Sequence, residues 1–249
     1  MKLIKRTAYL DELKDLLNTP DIKVITGVRR SGKSKLMDSL ENLIRESDAD
    51  ASIIHVNYNL TDFEGILEYH ALESYVEDHY LSGKSTYLLI DEIQMCAGFE
   101  KAINSLHARE KYDIDITGSN AFLQSSDLAT LFVGRTYEIQ VFPFSFSEYL
   151  KYFPTENIYG SLTKYITDGG MAGSYLYKSE SQRYRYIPRQ ISYNLPVLLE
   201  YLPYPNYTPS AASSEAAVVF CVPYINRGPP HFHETAPLCR SLFRKTPAI

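Results

Sequence analysis

With 249 residues, 45% of them apolar, the chain can build a sizeable core as one large or two small domains. Its formal net charge of −5 excludes a global electrostatic footprint for nucleic acid and leaves only a local basic patch open. There is no run of about 18 apolar residues, so no membrane span is expected. The three cysteines (Cys96, Cys221, Cys239) form neither a disulfide framework nor a metal pattern.

The opening MKLIKRTAYLDELKDLL lacks the apolar stretch of a signal peptide, which makes a cytoplasmic protein the default. Tyr9, Leu10, Leu13, Leu16 and Leu17 recur at helical spacing, and the helix should end near Asn18-Thr19-Pro20. IKVIT (22–26) is short, apolar and β-branched, as suits a strand buried on both faces. A Gly-rich segment follows, then KLMDSLENLI with Leu36, Leu40 and Leu43 at helical spacing. The alternation repeats downstream. Strands are predicted at 52–59, 86–92, 112–120 and 135–142, and helices at 66–81 and 99–110. Strands alternating with helices at this spacing imply an α/β fold, a mostly parallel sheet with helices on both faces. SFSEYLKYF and LTKYITDGG read as helices of a second, smaller element. The expected organisation is a core over 1–145, a partial helical element over 146–187 and an irregular Pro-rich tail over 188–249.

Between the first strand and the next helix stands Gly27-Val28-Arg29-Arg30-Ser31-Gly32-Lys33-Ser34, the G-x-x-x-x-G-K-S pattern of a P-loop. Gly27 and Gly32 allow backbone conformations that other residues resist. The loop N–H groups can then point inward at phosphate oxygens, and the following helix adds its positive N-terminal end. Lys33 can reach the β- and γ-phosphates, and the Ser34 hydroxyl can ligate Mg²⁺. A chance match in a chain of this length has a probability of roughly one per cent. The candidate nucleotide-binding set is Gly27, Arg30, Ser31, Gly32, Lys33, Ser34 and Lys35. Arg29 and Arg30 could contact nucleotide, or face solvent or a partner subunit.

In TYLLIDE, Tyr87 to Ile90 precede Asp91 and Glu92 at the end of a strand, the edge where such sheets bind ligands. Asp91 is placed to hold Mg²⁺ through a water, and Glu92 to orient and polarise the water that attacks a γ-phosphate. The competing reading is a pair of solvated carboxylates, which the neighbouring P-loop disfavours. IDITGSN ends another strand in small polar residues. Ser119 or Asn120 could bond the attacking water or the γ-phosphate, or the segment is a plain turn. Parallel order can place this strand between the other two motif strands. Arg135, after Gly134, is a candidate to stabilise transition-state charge, with a surface ion pair as its alternative. No histidine pair shows ligand spacing.

Together these motifs resemble the prokaryotic AAA-superclass ATPases that carry a C-terminal domain of unknown function. The matching stretches are IKRTAYLDELKDLL, IKVITGVRRSGKSKLM, TYLLIDEIQ, DIDITGSNAFL, DLATLFVGRTYEIQVFPFSFSEYL and YITDGGMAGSYL, covering roughly residues 1 to 185. In that family VITGVRRSGKS is the Walker A region, LLIDEIQ is Walker B and ITGSN is the sensor strand. The resemblance implies a P-loop NTPase fold, ATP and Mg²⁺ as cofactors, and roles for Gly27, Gly32, Lys33, Ser34, Asp91, Glu92, Asn120 and Arg135. It also implies a homo-oligomer, because such ATPases often complete their sites between subunits. Nucleic acid enters as a partner through family analogy alone. Ala172 departs from the family's usual proline in its Gly-Gly-x-Pro turn.

From about Pro188 the pattern breaks. Ten of the thirteen prolines lie there, Asp is absent, and Glu is limited to Glu200, Glu215 and Glu234. The expectation is that 187–249 is a frame-shifted or foreign translation, against a genuine Pro-rich extension. Three activities fit the motifs: an ATP hydrolase, an ATP-binding module with little turnover, and a P-loop kinase. Glu92 directly after Asp91 favours activation of water over a kinase.

Overall fold

The computed structural model describes residues 4–118, 134–179, 181–183 and 185–186. Asn120, Ser119 and the Pro-rich tail therefore lie outside the described residues. The described part divides into two compact units, Lys5–Phe142 and the part that begins at Pro143.

In the first unit, α1 (Thr7–Asp15) leads to β1 (Ile22–Thr26), α2 (Lys33–Ser47) and β2 (Ser52–Asn57). These are followed by α3 (Tyr69–Asp78), β3 (Thr86–Asp91), α4 (Phe99–Ala108), β4 (Tyr112–Thr117) and β5 (Thr136–Gln140). All registered pairs are parallel, in the order β2-β3-β4-β1-β5. This is the expected α/β P-loop fold, and β4 lies between the two motif strands.

Period-2 alternation sorts the strand residues onto two faces. Ile22, Val24, Leu88, Ile90, Ile114 and Ile116 pack with Leu72 and Val76 of α3 and Phe99, Ile103 and Leu106 of α4. Ile25, Tyr87, Leu89 and Ile139 pack on the opposite face with Leu10 and Leu13 of α1 and Leu36, Met37, Leu40 and Ile44 of α2. Each of these buried aliphatic side chains contributes about 1.5–3 kcal/mol, which fixes α2, and with it the loop before it, on the sheet.

The predicted helix at 66–81 is shorter. A 3-10 turn, Thr61–Ile66, precedes it, and α3 begins only at Tyr69. Glu68 forms a parallel bridge with Ala97, with Ala97 N donating to Leu67 O at 2.7 Å and Tyr69 N to Ala97 O at 3.0 Å. A long-range ladder therefore takes backbone groups that local periodicity assigns to a helix. The predicted strand 52–59 stops at Asn57, whose carbonyl accepts from Leu60 N at 3.0 Å in a turn.

The second unit contains α5 (Phe146–Tyr152) and α6 (Ile158–Asp168), then a 3-10 turn at Ala172–Leu176. Ser145 and Glu148 form a reciprocal capping box on α5. Tyr149, Leu162 and Tyr165 form a small core with Phe146, Phe153 and Tyr175 packed on it. The Tyr165 hydroxyl donates to Phe144 O at 2.6 Å. Among the described residues, no helix is long and apolar enough to cross a membrane.

One polar cluster interrupts the α1/α2 face. The Lys23 ammonium bonds the Asp113 carboxylate, which also accepts from Asn18 N at 2.5 Å. Asp115, opposite Lys23 in register, is fully buried, and neither carboxylate oxygen has a hydrogen-bond partner among the described residues. Burial pushes its carboxyl up to about 6 from an ordinary 3.8, with Lys23 opposing. The folded state thus favours the protonated form. Its stabilising contribution is complete below 3.8 and is lost as pH rises through about 6. Asp115→Asn should therefore be more stable than wild type at pH 8 by up to ~3 kcal/mol, with the gain roughly halved at pH 5 and nearly gone at pH 4. Urea melts at the three pH values measure this, and a gain independent of pH would contradict it.

Candidate functional site

β1 ends at Thr26, and the chain turns through Gly27 to Gly32 into α2. Gly27 has φ 142°, and a Cβ there would lie 2.2 Å from Val141 O. Gly32, at φ 101°, is the N-cap of α2. Arg30 is also left-handed, at φ 67°. The first intrahelical bond runs from Leu36 N to Gly32 O at 2.9 Å. The N–H groups of Lys33, Ser34 and Lys35 consequently have no acceptor within the helix. Together these groups make a cradle of N–H donors at the positive end of α2, suited to anionic oxygens.

Lys33 is buried, and its Nζ donates to Gly27 O at 2.9 Å and Val28 O at 3.4 Å. Burial lowers its pKa. Glu92 and then Asp91 oppose that shift, and Arg29 reinforces it. P-loop lysine and strand-end carboxylates therefore share one electrostatic environment. Ser34 is half-buried in the first turn of α2. Ser31 is buried, and its Oγ has no partner among the described residues. Lys35 is different: its exposed side chain pairs with Asp38 at 2.7 Å. The Arg29 and Arg30 side chains are exposed.

Asp91 closes β3 and is buried. Its Oδ1 accepts from the Thr117 hydroxyl, while Oδ2 is buried with no hydrogen-bond partner among the described residues. A buried carboxylate oxygen left in that state is costly. Mg²⁺ prefers hard oxygen ligands of this kind, so Asp91 and the Ser34 hydroxyl fit it. Glu92 takes a left-handed conformation, φ 59° and ψ 48°, which is unusual for a residue with a side chain. Its carbonyl accepts from Met95 N at 3.0 Å. Its N–H donates to Thr117 Oγ1 at 3.0 Å, and its Oε2 accepts from the Gln94 amide.

Thr117 and Gln94 were not anticipated from sequence. Thr117 closes IDIT, but its partners follow only from the sheet order, and the local Gln94–Glu92 contact follows from the left-handed turn at Glu92.

Arg135 lies apart from these residues in the fold. Its carbonyl accepts from Ile22 N at 2.8 Å, which places it where β1 and β5 begin. The P-loop follows the other end of β1. A five-residue strand rises about 16 Å, beyond the reach of an arginine side chain. Within one chain, Arg135 is not brought to the site.

The AAA domain family model matches residues 19–150, more than half of the chain. The chain belongs to the AAA domain family. The matched span contains the P-loop, Asp91, Glu92 and Thr117, so the AAA domain is an ATP-binding P-loop ATPase domain at the level of the family. An uncharacterized protein of Haemophilus influenzae is 38% identical over 150 residues, 59% of this chain and 38% of its own length. A second, from Methanocaldococcus jannaschii, is 32% identical over 148 residues, 57% of this chain and 32% of its own. The chain thus spans about a third of the length of these curated relatives. Among solved structures, AMPPCP-bound DnaA from Aquifex aeolicus is similar at 16% identity and TM-score 0.47, covering 98% of this chain and 89% of that one. Hsp104 of S. cerevisiae, in complex with casein, reaches TM-score 0.48 at 15% identity, over 88% and 42%. The fold of the AAA domain is established by its own sheet order and loop geometry.

The two P-loop glycines should respond differently to a methyl group. Gly27→Ala meets both an unfavourable φ and the Val141 carbonyl and should lose more than ~2 kcal/mol of stability. Gly32→Ala meets open space and should lose about 1–2 kcal/mol, from φ alone. Chemical denaturation of the two variants gives the order, and equal losses would contradict the Val141 contact.

Proposed function

We propose that the AAA domain binds ATP with Mg²⁺ in the cradle Gly27–Lys35 and hydrolyses it by in-line attack of water. The observation that carries this reading is the convergence at Thr117. One hydroxyl holds the Asp91 carboxylate and the Glu92 main chain beside a lysine that senses both carboxylates.

Gly32, Lys33, Ser34 and Lys35 donate main-chain N–H groups to the β- and γ-phosphates, with Ser31 and Arg30 shaping the rim. On binding ATP, Lys33 exchanges its loop carbonyls for phosphate oxygens. Asp91 and Ser34 supply the ligands for Mg²⁺, which when bound neutralises phosphate charge. Glu92 accepts a hydrogen bond from the attacking water and takes its proton as the new P–O bond forms. The bond from the γ-phosphorus to the β–γ bridging oxygen breaks, its electron pair leaves with ADP, and inorganic phosphate is the second product.

A second reading is an ATP-binding switch with low turnover. The Gln94 amide on the Glu92 carboxylate favours it, because that contact competes with the water.

Phosphate release and ATP binding separate these readings. Glu92→Gln should lower turnover about 100-fold or more while ATP affinity stays within about threefold. Lys33→Ala should weaken ATP at least tenfold. Wild type and Glu92→Gln both at background would overturn hydrolysis and leave the switch. In that case Gln94→Ala should raise turnover. Unchanged ATP affinity in Lys33→Ala would overturn the P-loop assignment itself.

A further inference from the structure

We infer that Arg6 is a positioning residue for the nucleotide phosphates, acting through the Ser31–Gly32 peptide. The inference rests on the P-loop reading above.

Arg6 precedes α1 and retains only 6% of its exposure. Its Nη1 donates to Ser31 O at 3.1 Å, across 25 residues of sequence. A trans peptide points its C=O and the following N–H in opposite directions. An arginine gripping Ser31 O therefore turns Gly32 N–H to the other side of the loop, into the cradle. The hydrogen bond is charge-assisted, which makes it a strong constraint on that peptide plane. Gly32 has no Cβ, and a Cβ there would meet open space, so side-chain packing does not fix the plane of the peptide before it. Without an external grip the peptide would sample both orientations, and only one presents a donor to phosphate.

The grip is itself held. The Arg6 carbonyl accepts from Leu10 N at 3.1 Å, which fixes its main chain to α1. Its guanidinium lies 4.5 Å from the Tyr9 ring centroid, a cation–π contact that offsets part of the burial of the charge. The Tyr9 hydroxyl in turn accepts from Phe142 N at 3.2 Å. Phe142 follows Val141, whose carbonyl abuts Gly27 and whose N–H donates to Thr26 O at 2.8 Å. The start of α1 thus contacts the end of the loop directly through Arg6 and its beginning through Tyr9 and the Val141–Phe142 segment after β5. Leu10 and Leu13 seat α1 on the apolar face of α2, so this clamp moves with the helix that carries Lys33 and Ser34.

The test titrates ATP and inorganic tripolyphosphate, with Mg²⁺, into wild type, Arg6→Ala, Arg6→Lys and Lys33→Ala by calorimetry, alongside the melting temperature of each nucleotide-free protein. Arg6→Ala should weaken ATP and tripolyphosphate by the same factor, about tenfold or more. Arg6→Lys keeps a charge and a donor and should recover affinity to within about threefold of wild type for both ligands. If Arg6→Ala does not fold, Arg6→Gln replaces it, with the same loss expected at a melting temperature close to that of wild type. Wild-type affinity in the neutral variant would overturn the inference. So would a loss for ATP without a loss for tripolyphosphate, or a loss that tracks melting temperature and is not rescued by lysine. Failure of wild type to bind ATP, or Lys33→Ala binding as wild type does, would instead bring down the P-loop reading.

Discussion

The hydroxyl of Thr117 ties the end of β4 to both carboxylate residues at the end of β3. The strand order places β4 between β1 and β3, with all three running the same way. Their C-terminal ends therefore meet at one edge, where open α/β sheets bind ligands. A threonine hydroxyl has one donor and two acceptor lone pairs. Here it gives its proton to Asp91 and accepts the N–H of Glu92. On its other flank, Gly118 N donates to Ile25 O at 3.3 Å, one residue before the end of β1. Without this pivot the left-handed residue Glu92 would lose the acceptor of its N–H. The carboxylate that follows Asp91 would then be held only by the Gln94 amide.

The P-loop was legible in the sequence because its chemistry restricts residue types. Two glycines, a lysine and a hydroxyl are each required by backbone conformation or phosphate charge. Asp91 and Glu92 were legible as the end of an apolar run. Gln94 was not, because its local contact depends on the left-handed turn at Glu92. Thr117 was not, because its role depends on which strand is the neighbour, and strand order is a long-range property. The same reason explains Arg135. Its closeness in sequence to a strand suggested a site residue, but the parallel pairing of β5 with β1 puts it at the far end. The helix at 66–81 failed locally for a comparable cause. Ala97, nearly thirty residues away, takes the backbone groups around Glu68. Short-range periodicity identified element types well and pairing partners poorly.

The buried polar cluster lies toward the opposite end of the same strands. Lys23, Asp113 and Asp115 share the α1/α2 face, where apolar residues would be cheaper. Their arrangement is sensitive to register. A slip of one residue between β1 and β4 would turn one strand's polar side chains toward the opposite apolar face, among Leu88, Ile90 and Ile103. Such a slip would also move Thr117 away from Asp91. The polar pairing and the site thus depend on the same alignment of β4, one at each end of the strand.

The first turn of α1 shows what residue 6 contributes. A helix start is best served by Ser, Thr, Asp or Asn, worth about 1 kcal/mol over a residue that cannot cap. Arg6 occupies the N-cap position and makes no side-chain cap hydrogen bond. Its side chain is instead turned inward, onto Ser31 O and the Tyr9 ring. Burying a guanidinium is expensive unless its donors are used. A residue chosen only to stabilise α1 would avoid both costs, since Leu10 and Leu13 already anchor that helix. What these costs secure is a fixed orientation for the Ser31–Gly32 peptide. That peptide lies in the part of the chain where a reversed N–H would remove a donor to phosphate.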